Sequence, residues 1–318
     1  MKGDPTSLRS SMILSPWLSL TPVVASTSLL RRLPYSEFRP LSSTTYCRRW
    51  LRSIPCLNSK STQETTQLIE QLEKEQGFSV LTSDIPWDDN NVWSTFALYM
   101  FCLHIPLSFG GLSILARFLH HPLLDDPQTQ VLSLVLLQML ELSLTLFLLR
   151  TTAKPQCKSI NFLMATTNDS NEGRNWVVGS ALGLGILVCF IFLTSFVADL
   201  LFASQDVHNS ELEKIIESGD VSKIGCFVLY CVVAPILEEI VYRRFLLSSL
   251  ASRMEWRKAL VISSGVFAAS HFSGEDFLQL FGIGCVLGGC YSWSGNLASS
   301  VVVHSLYNAF TLLLALYS

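Results

Sequence analysis

The sequence predicts an all-α protein, a polytopic transmembrane bundle of about seven or eight helices behind a disordered N-terminal transit peptide. Three observations carry that prediction. Of the 318 residues, 49% are hydrophobic and only 15% charged, with a mean hydropathy of +0.40; ordinary soluble domains carry about 25% charge. Beyond residue 91 the chain is mostly a succession of apolar runs, several long enough for the ~20 residues that cross a ~30 Å hydrocarbon core. The first 65 residues are of a different kind altogether.

Residues 1–65 are rich in Ser, Thr, Leu and Pro and carry Arg9, Arg31, Arg32, Arg39, Arg48, Arg49 and Arg52, while the acids before residue 60 are Asp4 and Glu37. An arginine- and serine-rich, acid-poor N-terminus reads as an organelle transit peptide. The Ser/Thr content favours a plastid over a mitochondrion, and a disordered cytosolic tail is the competing reading. Residues 66–91 form a polar segment, and "STQETTQLIEQLEKEQGF" (61–78), which leads into it, predicts a surface helix with Leu68, Ile69 and Leu72 on its apolar edge.

Residues 92–318 form the transmembrane domain. Its apolar runs are 92–119, 130–149, 175–203, 224–252, 258–272, 277–293 and 297–317. Each is expected to be helical, because lipid offers no partner for unpaired backbone groups. The 258–272 run is short for a span, so its helix must tilt, be sheltered by neighbours or continue into polar turns. Loops 150–158 and "RRFLLSSLASRMEWRKA" are basic, whereas "ASQDVHNSELEKIIESGD" is acidic. Seven alternating spans put both basic loops on the side of the N-terminus, as the positive-inside rule wants. That side is the stroma in a plastid. Gly179…Gly183 and Gly284…Gly288 have the spacing of close helix packing. The nine cysteines lack metal-ligand spacing and read mainly as small packing residues. A net charge of −3 gives no reason to expect a nucleic-acid partner.

Within "CVVAPILEEIVYRRFLLSSLA" sit Glu238, Glu239, Arg243 and Arg244. Four unpartnered charges at the bilayer centre would cost roughly 10 kcal/mol, at about 2.5–3.5 kcal/mol each. Glu239 and Arg243 are i, i+4 with the acid first, the favourable order on a helix. Glu238, about 100° around the helix, is left to point elsewhere, beside the kink expected of Pro235. The competing reading is a helix end, with Arg243 and Arg244 at the membrane boundary. Two further runs carry His271 ("VFAASHF") and His304 with Asn308 ("VVVHSLYNAF"). If the helices bearing Glu238 and His271 form a hairpin around "RMEWR", the midpoint of 238 and 271 falls at Met254/Glu255. Both side chains then lie roughly 20–25 Å from the turn at 1.5 Å per residue, at one depth, and resemble a water-activating pair.

Other chemistries for cutting a peptide in a membrane leave residues that this chain lacks. There is no H-E-x-x-H zinc motif, "SWSG" has no preceding glycine, and Asp199 is the one intramembrane aspartate. Glutamate plus histidine acting on water remains. "EEIVYR", "FAASH" and "HSLYN" are similar, in order, to the E-E-x-x-x-R, F-x-x-x-H and H-x-x-x-N motifs of the CAAX protease and bacteriocin-processing family, glutamate-dependent intramembrane endopeptidases related to the type II CAAX prenyl endopeptidase. The resemblance covers residues 220–318, the expected catalytic core, and is taken to be of the plant organellar type.

The resemblance implies that Glu238 is the general base activating water with His271. It implies that Glu239 and Arg243 hold the helix and tune the site, and that His304 and Asn308 stabilise the oxyanion. The family has about eight helices, so the first run is expected to break near Pro106 and Gly110–Gly111. No cofactor is expected; the metal alternative is a divalent ion such as Zn²⁺ on Glu238, His271 and His304. Expected partners are a membrane-associated protein substrate, the lipid bilayer and a regulatory membrane partner. The functional alternative is a scaffold or chaperone-like membrane protein that keeps the protease fold without the activity.

Overall fold

Apolar helix formers and the need to pair every backbone group in lipid leave one solution for this chain, and the computed structural model is helical throughout its regular structure. It describes residues 77–81, 85–88, 91–119, 126–154, 174–201, 215, 217–274 and 276–317. The expected transit peptide and the 61–78 surface helix lie outside them, apart from residues 77–78. Those from Ser79 onward belong to one compact unit.

Seven helices lie among the described residues. They are α1 (Val92–Phe118), α2 (Pro127–Thr152), α3 (Trp176–Leu201), α4 (Asp220–Ala251), α5 (Trp256–Ser270), α6 (Phe277–Ser294) and α7 (Leu297–Tyr317). All but α5 are long and apolar enough to cross a membrane. The protein is a multi-pass membrane protein. The 15 residues of α5 rise only about 22 Å at 1.5 Å each, short of the hydrocarbon thickness. The 258–272 run therefore does not make a full span by itself, and its helix is sheltered between α4 and α6.

The expected break in α1 is absent. Its helix runs on through Pro106 and the Gly110–Gly111 pair, with π-wound turns over Met100–Phe109. Proline removes one i→i−4 hydrogen bond, and the wider winding absorbs the defect without ending the helix. In α4 the same device recurs twice. Val228–Val233 is π-wound just before Pro235, and Glu239–Leu247 just after Glu238.

α4 is the central element: 72% of its most apolar stretch is buried, against 22–56% in the other five spans. It packs on α2, α5 and α7, while α3 lies outside against α6 and α7. Side chains that would be core in a soluble domain face outward here, among them Phe101, Phe118, Leu136, Phe147, Phe192 and Leu278. They face hydrocarbon.

Local chemistry sets the ends. Asp126 caps α2 by accepting from the backbone N–H of Gln128 and Thr129, with Pro127 at the first helical position. Gly295, at φ +67°, ends α6 in the left-handed conformation and lets α7 begin two residues later. The small-residue spacing in α6 does what it predicted: a Cβ on Gly284 would lie 3.1 Å from Ser264 Cβ and 3.2 Å from Phe267 Cδ1, so α5 and α6 meet almost backbone to backbone.

Candidate active site

Between its two π-wound stretches, α4 carries a five-residue α-helical turn, Ala234–Glu238. Glu238 and Glu239 therefore straddle a change of winding and look in different directions. Arg243 and Arg244 are only 1% and 4% exposed, and α4 runs on past them to Ala251, so they do not end the helix.

Glu239 faces inward to a cation and an imidazole. Its Oε1 lies 2.9 Å from Arg243 Nη1 and 2.9 Å from His304 Nδ1 on α7. Arg243 in turn stacks over the Phe267 ring at 4.4 Å and donates to the Gly284 carbonyl at 3.4 Å. One carboxylate thus ties α4 to α7, and its arginine ties α4 to α5 and α6.

Glu238 is 4% exposed, and its Oε2 has no hydrogen-bond partner. Two imidazoles flank that oxygen: His271 Nε2 and His304 Nε2 are each 3.9 Å away. Those separations exceed a direct hydrogen bond and suit groups that share a water. The tautomers follow from the far side of each ring. His271 Nδ1 is 2.8 Å from the Phe267 carbonyl, an acceptor only, so Nδ1 carries the proton. His304 Nδ1 donates to Glu239. Both rings therefore present Nε2 toward Glu238.

His271 reaches this place because α5 stops there. It is the C-terminal cap of α5, and the next residue, Phe272, has φ +54°. A bulky residue in the left-handed region is strained, by about 1–3 kcal/mol, and it turns the chain just past His271. The α4–α5 register is pinned by Ser263 Oγ donating to the Tyr242 carbonyl at 2.7 Å and by Tyr242 OH donating to Ser270 Oγ at 2.6 Å. Glu238 and His271 do meet at one level, as hairpin counting anticipates.

Asn308 sits one turn beyond His304, half-buried, and donates from Nδ2 to the Tyr230 carbonyl at 2.8 Å. Tyr230 is in the π-wound Val228–Val233 stretch, so the bond satisfies a carbonyl beside the widened turns. Among the described residues no group of three or more His, Cys, Asp and Glu side chains is gathered closely enough to hold a metal ion.

The narrow cavity in front of Glu238 is lined by His104, Glu238, Tyr242, Ser270 and His271. His104 was not among the residues that the sequence singled out, nor was its partner Glu141. The signal was present: Glu141 is the one acid in the 130–149 run, and an intramembrane ionisable group marks function by default. In the fold Glu141 is fully buried and accepts from Tyr99 OH at 3.2 Å and Ser108 Oγ at 2.7 Å, with His104 Nδ1 at 2.9 Å.

Comparison with known proteins agrees with this region. Residues 220–310 match the family described as type II CAAX prenyl endopeptidase Rce1-like. Over 153 residues the chain is 26% identical to the membrane-embedded CAAX protease MroQ of Staphylococcus aureus (strain USA300), covering 46% of this chain and 61% of that protein. The match thus spans less than two-thirds of that relative's length. No solved structure matches the chain.

Proposed function

We propose, from the premise that the chain belongs through residues 220–310 to the CAAX protease family, that it is a glutamate-dependent intramembrane endopeptidase cutting a peptide bond of a membrane-associated protein. One observation carries the reading. A buried, unpartnered carboxylate oxygen of Glu238 is flanked at 3.9 Å by the Nε2 atoms of His271 and His304.

In this reading a water sits between Glu238 Oε2 and His271 Nε2. Glu238 takes one of its protons as the oxygen attacks the scissile carbonyl, and His271 accepts a hydrogen bond from the other. Positioned base catalysis of this kind contributes about 10²–10⁴-fold. His304, held by Glu239 through Nδ1, and the second N–H of Asn308 stabilise the tetrahedral oxyanion. One such donor is worth about 2.7–4 kcal/mol. Glu239 and Arg243 are positioning residues that hold His304 and α4. In this reading carboxylate and imidazole activate the water, and the alternative, a divalent ion on Glu238, His271 and His304, predicts loss of activity with a chelator and rescue by Zn²⁺.

The arginine- and serine-rich first 65 residues support a plastid membrane, thylakoid or envelope, as its home. A plastid interior is not where prenylated C-terminal cysteines are processed, so the substrate class is a membrane-embedded or otherwise lipidated protein. A regulatory membrane partner controlling access belongs to the same reading.

The test in cells replaces Glu238 by Gln in a line lacking the native protein and compares the termini of membrane proteins with a wild-type rescue. An uncut precursor that accumulates only with the variant, and co-purifies with it, is the expected result. Identical termini with full rescue would instead favour a scaffold that has kept the fold.

A further inference from the structure

The cavity that Glu238 faces is not built by the family-matched segment alone. His104, from α1, lines it together with Glu238 and His271, yet α1 and α2 lie outside residues 220–310. His104 is 4% exposed and Glu141 is fully buried. Tyr99 OH lies 3.2 Å from both His104 Nδ1 and Glu141 Oε1, closing a three-membered cluster. An ionised carboxylate only accepts hydrogen bonds, so Nδ1 carries the proton it shares with Glu141. Nε2 is the other nitrogen of a ring that lines the cavity beside Glu238.

This is a second imidazole–carboxylate unit at one site, on a second pair of helices. Aliphatic side chains would join α1 to α2 without burying an acid and a base. The α1 segment that holds it, Met100–Phe109, is also π-wound, a distortion frequent at functional sites. His271 and His304 already direct their Nε2 atoms at Glu238. Neither is left to serve the far end of the scissile bond.

We propose that His104, oriented by Glu141 and Tyr99, is the general acid that protonates the leaving amine, an assignment that rests on the proteolytic reading above. As the tetrahedral intermediate collapses, the C–N bond breaks and its electron pair goes to nitrogen. Glu238 passes the proton that it took from water to His104 Nε2, and the departing nitrogen takes it from there. His104 ends as it began, and the sum is amide plus water giving acid plus amine.

The test uses the full chain in lipid nanodiscs. The probe is a quenched fluorescent peptide that the wild type cleaves, chosen from a peptide library, and its twin with an ester at the cleaved bond. An alkoxide needs far less help to leave than an amide anion. His104→Gln is expected to lower kcat on the amide about 100-fold or more, with KM little changed and the ester nearly untouched. Glu238→Gln is expected to abolish both. Where His104→Gln lowers the yield of folded protein, Glu141→Gln carries the same comparison. Equal loss on amide and ester, or no loss on either, overturns the assignment while leaving Glu238 as the base. A wild type that cleaves no peptide, or a Glu238→Gln variant of wild-type rate, removes the proteolytic reading and this assignment with it.

Discussion

Glu238 and Glu239 are the same residue type side by side, and their surroundings give them opposite tasks. Glu239 meets Arg243 and His304 at 2.9 Å each, whereas Glu238 Oε2 meets no donor. Removing one partner of a buried ion pair leaves the other uncompensated, at a cost of about 3–5 kcal/mol. Glu239→Gln is therefore expected to lose about that much stability, while Glu238→Gln melts near the wild type and loses activity. Thermal unfolding of the two variants in one detergent checks this, and equal melting would contradict the division of labour. The i, i+4 spacing made the Glu239–Arg243 pair readable before any fold was known. The double engagement of His304 was not readable, since it joins side chains 65 residues apart and no spacing rule encodes such a contact.

The elements place these residues by close approach and by altered winding. α5 approaches α6 over Gly284, where any larger side chain meets Ser264 and Phe267, and Phe267 is the ring that Arg243 stacks on. Gly284→Leu is expected to cost at least the 1–3 kcal/mol typical of overpacking and to lower activity together with stability, because it forces α5, and with it His271, out of its place between α4 and α6. A folded, fully active Gly284→Leu protein would show that the α5–α6 contact does not set the site. The α4–α5 hairpin was legible because its polar turn sits midway between Glu238 and His271. The π-wound stretches were not. Pro106 and Pro235 signal a defect in the helix, but whether it becomes a break, a kink or wider turns depends on neighbouring packing. In α1 that ambiguity produced the expectation of two helices where one continues. Likewise Glu141 and His104 are visible as lone polar residues in apolar runs, but only the packing of α1 on α2 brings them together, with His104 lining the cavity that Glu238 faces.

At the scale of the whole molecule, the outward ring of Phe and Leu side chains makes the bilayer part of the fold, and the charges of α4 are sheltered inside it. The composition alone foretold a multi-pass membrane protein, since apolar run length is set by bilayer thickness. The address rests on residues 1–65. Fused to a fluorescent protein, they are expected to direct import into isolated chloroplasts with loss of the N-terminal segment; import into mitochondria alone would move the protein to another organelle. The central claim is that Glu238 activates water for peptide hydrolysis, and its most direct test is chemical. The full chain in lipid nanodiscs, with a chelator present, is given a cleavable peptide in ¹⁸O-labelled water, and the new carboxyl terminus is read by mass spectrometry. The wild type is expected to place one ¹⁸O in that carboxylate, and Glu238→Gln to do so about 10²–10⁴-fold more slowly. A Glu238→Gln protein that incorporates label at the wild-type rate would contradict the account.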